Sequence, residues 1–174
     1  MIAMKSNSLT CLLFLLLCAT MPVYCQQSAS ADNDVLEPVE GKKDLYPSGA
    51  NAKKEIDEAL KKAAGEKKRV MLVFGGNWCY DCHVLDRALR EGPAGEIMQA
   101  SFLLVDVDIG EGDKNLDLTK TYKIPLEKGV PAVAILDRAG KLIYSSGDGE
   151  FEEARRMMKK DLIAFLRRWQ ELPR

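Results

Sequence analysis

The period of the apolar positions changes several times along the chain, and each change marks an element. From Asn51, the residues Ala52, Ile56, Ala59, Leu60 and Ala63 recur at helical spacing, and Gly65 is expected to stop this first helix. "RVMLVFGG", residues 69–76, is a short apolar run ending in two glycines, the pattern of a buried strand leaving into a tight loop. After Trp78 the series Cys82, Leu85, Leu89 restores a helical face, which breaks at Gly92 and Pro93. "SFLLVDVDIG" reads as a second strand and "NLDLTKTYKI" as a short helix before Pro125. "GVPAVAILDRAGKLIYSS" reads as two strands around an Asp-Arg-Ala-Gly turn, a β-hairpin. From Glu150, the residues Phe151, Ala154, Met158, Leu162, Phe165 and Trp169 form one stripe opposite Lys, Arg and Glu, a terminal amphipathic helix.

Helix, strand, helix, strand, helix, strand, strand, helix is the order of an α/β fold: a mixed central sheet with helices on both faces and a C-terminal β-hairpin plus helix. No internal repeat interrupts it. Residues 49–174 form the expected domain. Residues 26–48 mix Ser, Asp, Gly and Pro without apolar periodicity and are expected to be a flexible leader.

Residues 1–25 differ in kind. Lys5 is their only charged side chain, and "LTCLLFLLLCAT" follows it before Pro22, the layout of a secretory signal peptide. The run is short of the roughly 20 residues that a bilayer span needs, so cleavage is favoured over a retained anchor. Candidate cuts lie after Cys25 or within residues 28–31. Lipidation at Cys18 or Cys25 fits poorly, because Leu17 and Tyr24 precede them where a small residue is usual. The expected location is periplasmic or secreted, with no membrane span left after cleavage.

Composition sets the remaining bounds. The 174 residues suit one domain, with 47% hydrophobic and 29% charged residues to build a core and a soluble surface. A formal net charge of −1, with no basic stripe interleaved with aromatics, argues against a nucleic-acid partner. Of five cysteines, Cys11, Cys18 and Cys25 leave with the signal peptide, and Cys79 and Cys82 stay. A bridge between them would close too short a loop to restrain the unfolded chain much, so its role is chemical rather than structural.

The pair sits in "GGNWCYDCHV", residues 75–84, followed directly by His83, the only histidine. Two chemistries share this spelling: a dithiol that opens and closes, and a CxxCH site for covalent haem. "WCYDC" at a strand-to-helix turn, then "GVPAV" about fifty residues later before a hairpin, resembles the thioredoxin superfamily over roughly residues 50–172. "VMLVFGGNWCYDCHVLDRAL" is most similar to exported thioredoxin-like proteins related to the C-terminal domain of the bacterial transmembrane disulfide reductase. The resemblance implies thiol-disulfide exchange with cysteine-containing exported proteins, fed by an upstream redox protein, and needs no cofactor and no metal.

A thiol reacts as thiolate, and a free cysteine with a pKa of about 8.5 is little ionised at neutral pH. Cys79 opens a helix, where unpaired amides and the macrodipole favour negative charge. Cys82 lies one turn on along the same face, placed to attack a mixed disulfide at Cys79. Cys79 is therefore expected to be the nucleophile and Cys82 the resolving thiol. The resemblance further implies that Val130 and Pro131 form a cis-proline loop against the disulfide that pairs with substrate backbone, and Trp78 is expected to touch the partner.

Departures from the family are informative. Its buried acid falls at Val73, and the lysine partner of that acid at Leu104 or Phe102, so the ion pair is missing as a unit. Water or Asp81 is the expected substitute proton acceptor. Tyr80 and Asp81 separate the cysteines; the Asp81 carboxylate would disfavour thiolate and make the pair a better reductant. Val130 before the proline resembles the disulfide-donating branch instead, so reductant is the preferred direction and disulfide donor the alternative. "KIPLEKGV" is three residues longer than in thioredoxin and borders the substrate groove.

His83 has two readings: an imidazolium tuning Cys79, or a partly exposed helix residue, which is preferred. Met157, Met158, Trp169 and Tyr122 are expected to pack, and Asp106 and Asp108 to be polar residues at a strand end. A small c-type cytochrome remains the rival; it would need a second axial ligand such as Met98, Met157 or Met158, and leaves the buried strand and hairpin unexplained. Two thiols and one adjacent histidine fall short of a structural zinc site.

Overall fold

The computed structural model describes residues 34–40 and 44–170. The apolar run expected to be a signal peptide, and residues 26–33, lie outside them. Among the described residues no helix is long and apolar enough to cross a membrane.

Four strands form one sheet in the order β2-β1-β3-β4. The central strand β1 (Arg69–Gly75) is buried along its whole length, as the apolar run from Val70 to Phe74 requires, with Arg69 buried at its start. It pairs in parallel with β2 (Phe102–Asp108) and antiparallel with β3 (Ala132–Leu136). β3 then forms the expected hairpin with β4 (Leu142–Ser145).

Side chains alternate across the sheet, and each face carries its own helices. Val70, Leu72 and Phe74 meet Ala52, Ile56 and Ala63 of α1 (Ala52–Glu66) and Leu118 of α4 (Leu116–Thr121). Met71 and Val73 face the other way, onto α2 (Tyr80–Arg90), α3 (Gly92–Ser101) and α5 (Lys159–Gln170). This is the mixed sheet covered on both faces that the order of elements predicts.

Four details differ from the sequence reading. Gly65 does not stop α1; the helix runs on to Glu66, and Lys67 ends it in the left-handed region at φ 58°. Gly92 and Pro93 end one helix and also begin another, α3, because proline is tolerated in a first turn where no intrahelical N–H is needed. The terminal helix begins at Lys159 rather than near Glu150, preceded by a 3₁₀ turn at Ala154–Arg156.

The fourth difference explains the third. Part of the segment expected to be a flexible leader is packed onto the domain: Leu36, Leu45 and Tyr46 are all buried. Val35 bridges Met158, Leu36 N–H donates to the Met157 carbonyl at 2.9 Å, and Lys159 N–H donates to the Asp34 carbonyl at 2.7 Å. Residues 157–158 thus spend backbone groups on this N-terminal strap, and the helical stripe cannot extend through them. Met157 and Trp169 still pack against the core, as expected.

Candidate functional site

β1 ends at Gly75, and a three-residue loop delivers Cys79 to the N-cap of α2. Cys79 and Cys82 are joined, with Sγ atoms 2.15 Å and Cα atoms 5.3 Å apart. Cys79 Sγ accepts the Cys82 N–H at 3.1 Å, so one sulfur occupies the capping position that a Ser or Asp oxygen usually fills. An anion there meets the helix amides that lack other partners. Cys79 is 5% exposed and Cys82 0%, so of the two residues only Cys79 keeps surface that a partner can reach.

Across from the pair, the Val130–Pro131 peptide bond is cis, and Cys79 Sγ lies 3.6 Å from the Val130 carbonyl oxygen. Trp78 stands 48% exposed beside them, its indole N–H donating to the Gly110 carbonyl at 2.7 Å. Trp78, Val130, Leu126 and Ile109, with Glu111 and Glu152 at the rim, line an open groove of about 530 Å³. Tyr80 is exposed.

Two expectations about the motif need correction. His83 is buried, not partly exposed, and its Nε2 lies 3.0 Å from the Asn77 carbonyl oxygen, so the ring braces the loop before Cys79. Asp81 is buried too. Its carboxylate accepts the Arg155 backbone N–H at 2.8 Å and pairs with the Arg155 guanidinium, so its charge is compensated and both oxygens are engaged. It does not stand free as the proton acceptor.

Asn77, Tyr46 and Arg155 were not singled out from sequence. Asn77 Oδ1 accepts the N–H groups of Leu45 and Tyr46 at 3.0 and 3.1 Å, and its Nδ2 donates to Asp44 Oδ1 and the Tyr46 carbonyl at 2.7 and 3.0 Å. Leu45 and Tyr46 then pack with both cysteines and Val130. The available signal was "DLYP", an apolar pair in an otherwise polar segment. Val73, at the position of the family's acid, is buried in β1 as expected of an apolar side chain, and its backbone is in register with Asp106. Asp108 accepts the Gly110 N–H and pairs with Lys114, and Asp106 pairs with Arg90, as strand-end polar residues do.

A disulfide at a helix N-cap, facing a cis-proline loop and an open groove, defines a thiol-disulfide exchange site of the thioredoxin kind. The chain belongs to the thioredoxin-like family, whose model matches residues 51–138. A disulphide isomerase from Xylella fastidiosa Temecula1 is 34% identical, covering 72% of this chain and 96% of its own, with a TM-score of 0.68. A redox protein from Chlamydomonas reinhardtii is 18% identical over 70% of this chain and 34% of its own, with a TM-score of 0.50. The oxidised DsbD C-terminal domain of Neisseria meningitidis is 21% identical over 68% of this chain and 90% of its own, at a TM-score of 0.46. No curated protein sequence matches.

The haem reading of CxxCH falls with this geometry. The two sulfurs that would carry thioether bonds are bonded to each other, and the imidazole that would ligate iron is buried against Asn77.

Proposed function

We propose that the protein is an exported thiol-disulfide oxidoreductase, periplasmic or secreted, that acts from its dithiol form to reduce or rearrange disulfides in other exported proteins. The observation that carries this reading is the difference in burial between the two cysteine residues, 5% exposed for Cys79 against 0% for Cys82, at the mouth of α2. The Cys79 thiolate attacks a substrate disulfide, forming a mixed disulfide and expelling one substrate thiolate. Cys82 then attacks Cys79 Sγ, the intramolecular disulfide forms, and the electron pair leaves with the second substrate sulfur. In rearrangement, a second substrate thiolate instead attacks the substrate sulfur bonded to Cys79: a new substrate disulfide forms, the bond to Cys79 breaks, and its electron pair returns to Cys79 as thiolate. Trp78 and Val130 receive the substrate segment, with Pro131 shaping the loop.

Export rests on the apolar N-terminal run. The preference for the dithiol as the working form is supported by the 34% identical disulphide isomerase from Xylella fastidiosa Temecula1. It draws nothing from the Asp81 charge, which Arg155 compensates. In an oxidising compartment an upstream redox protein must return electrons to the pair.

Two experiments test the reading. Cys82→Ala should trap covalent partner complexes through Cys79; equal trapping by Cys79→Ala would overturn this assignment of roles. Equilibration with glutathione should give a potential between about −270 and −180 mV, the range from thioredoxin to protein disulfide isomerase; a value near −120 mV would establish a disulfide donor.

A further inference from the structure

Tyr46 is 3% exposed, and its hydroxyl has no hydrogen-bond partner among the described residues. A buried hydroxyl left unpaired costs stability, and nearly all buried polar groups avoid it. The place of this one is informative. Tyr46 Oη and Cys82 Sγ each lie 2.5 Å from the point that a Cβ on Gly75 would occupy. The bare Cα of Gly75 therefore lets hydroxyl and sulfur approach the same point, which puts them no more than about 5 Å apart. The Asn77 clamp on both backbone groups of Tyr46 fixes the ring there. Asn77 belongs to the same loop as Cys79, so hydroxyl and disulfide are held to one frame.

In the disulfide, Cys82 sulfur is a poor hydrogen-bond acceptor. Once the bond opens it is a thiol or thiolate, and a thiolate is a strong one. Leu45, Cys79 and Val130, which pack with it, bring no hydroxyl or carboxylate. We propose that the Tyr46 hydroxyl donates a hydrogen bond to Cys82 sulfur in the open form and so stabilises the Cys82 thiolate.

A thiolate of the upstream protein attacks Cys79 Sγ, a mixed disulfide forms, the Cys79–Cys82 bond breaks, and its electron pair stays on Cys82 Sγ. Tyr46 keeps its proton and shares it in the hydrogen bond. Burial, with the charges of Asp106, Asp86 and Asp108, pushes the Tyr46 hydroxyl well above the ordinary tyrosine range, so it acts as a neutral donor and not as a base. The same bond enlarges the thiolate fraction of Cys82 when it resolves a substrate complex. It also favours the dithiol over the disulfide, which keeps an isomerase in its working form among oxidants. The inference rests on the exchange activity proposed above.

The test compares the full mature chain with Tyr46→Phe, which removes one oxygen. In glutathione buffers the equilibrium constant for closing the disulfide should rise about tenfold in Tyr46→Phe, equivalent to a potential about 30 mV more reducing. The rate at which dithiothreitol opens the disulfide should fall several-fold. The thermal midpoint of the oxidised form should stay level or rise, because an unpaired hydroxyl is gone. An unchanged potential and opening rate, or a lowered midpoint with an unchanged potential, overturns the proposal and makes Tyr46 a packing residue. A second readout needs no variant: on reduction of the wild type, the tyrosine Raman doublet should shift by the contribution of one new donor, and no shift overturns the proposal. If wild type itself does not cycle reversibly with glutathione, the exchange activity fails and the inference with it; if wild type cycles and Tyr46→Phe matches it, the inference alone fails.

Discussion

The Asn77 side chain brackets the backbone of Tyr46, accepting its N–H at 3.1 Å and donating to its carbonyl at 3.0 Å. A peptide unit thirty-one residues upstream is thereby tied to the loop that presents Cys79. Asn77→Ala removes this bracket together with the bonds to Leu45 and Asp44. At about 1 kcal/mol net for each bond, and with part of the site open to water, a loss of about 2 kcal/mol is expected in urea unfolding of the oxidised protein. In the reduced protein, alkylation of Cys82 should accelerate as the strap lifts.

Gly75 is needed for closeness rather than for backbone freedom. A Cβ there would sit 2.5 Å from both Cys82 Sγ and Tyr46 Oη, far inside contact distance. Gly75→Ala should cost about 1–3 kcal/mol by overpacking, read from denaturant midpoints, and should loosen the strap as Asn77→Ala does.

Arg155 keeps a buried carboxylate from acting on the thiols. Arg155→Ala leaves the Asp81 charge uncompensated in the first turn of α2, where it opposes the Cys79 thiolate. Alkylation of Cys79 at pH 7 should slow by about two- to fivefold. Asp81→Asn in the same background should restore the rate; failure to restore it would place the effect of Arg155 elsewhere, in the docking of the 3₁₀ turn at Ala154–Arg156.

Tyr46 also gives the protein an alkaline weakness. Its folded-state pKa is raised, chiefly by burial, while in the unfolded chain the hydroxyl ionises near its ordinary value of 10.0. Stability from this group is complete below that ordinary value and is lost as pH rises above it, because only the unfolded state releases the proton. The expected slope is about 1.4 kcal/mol per pH unit. Tyr122 and Tyr144 are raised as well, so the Tyr46 share is the difference between wild type and Tyr46→Phe across pH 9 to 11.

What was legible from sequence is what local pattern encodes. The apolar run of β1, the glycines after it, the Trp78-to-Cys82 motif and the Val130–Pro131 pair each carry a signal within a few residues, and together they fix the sheet centre and the sulfur positions. Pro93 was ambiguous because the same residue that ends a helix is welcome at the start of the next. The strap was illegible for a different reason. Leu36, Leu45 and Tyr46 are too sparse to make a period, and their partners lie far along the chain, at Asn77 and Met157. His83 and Asp81 were misjudged likewise: a polar residue in a first helical turn looks solvated unless its distant partner, the Asn77 carbonyl bent back by the loop or Arg155, is known.

Because Lys159 reaches back to Asp34 and Glu37, the register of the strap is written by chain synthesised more than a hundred residues later. During vectorial synthesis, Leu36 has no seat until the start of α5 has emerged. The segment at residues 34–37 is thus among the last parts to settle, whereas Leu45 and Tyr46, which cover the sulfur pair, find their clamp as soon as Asn77 is present.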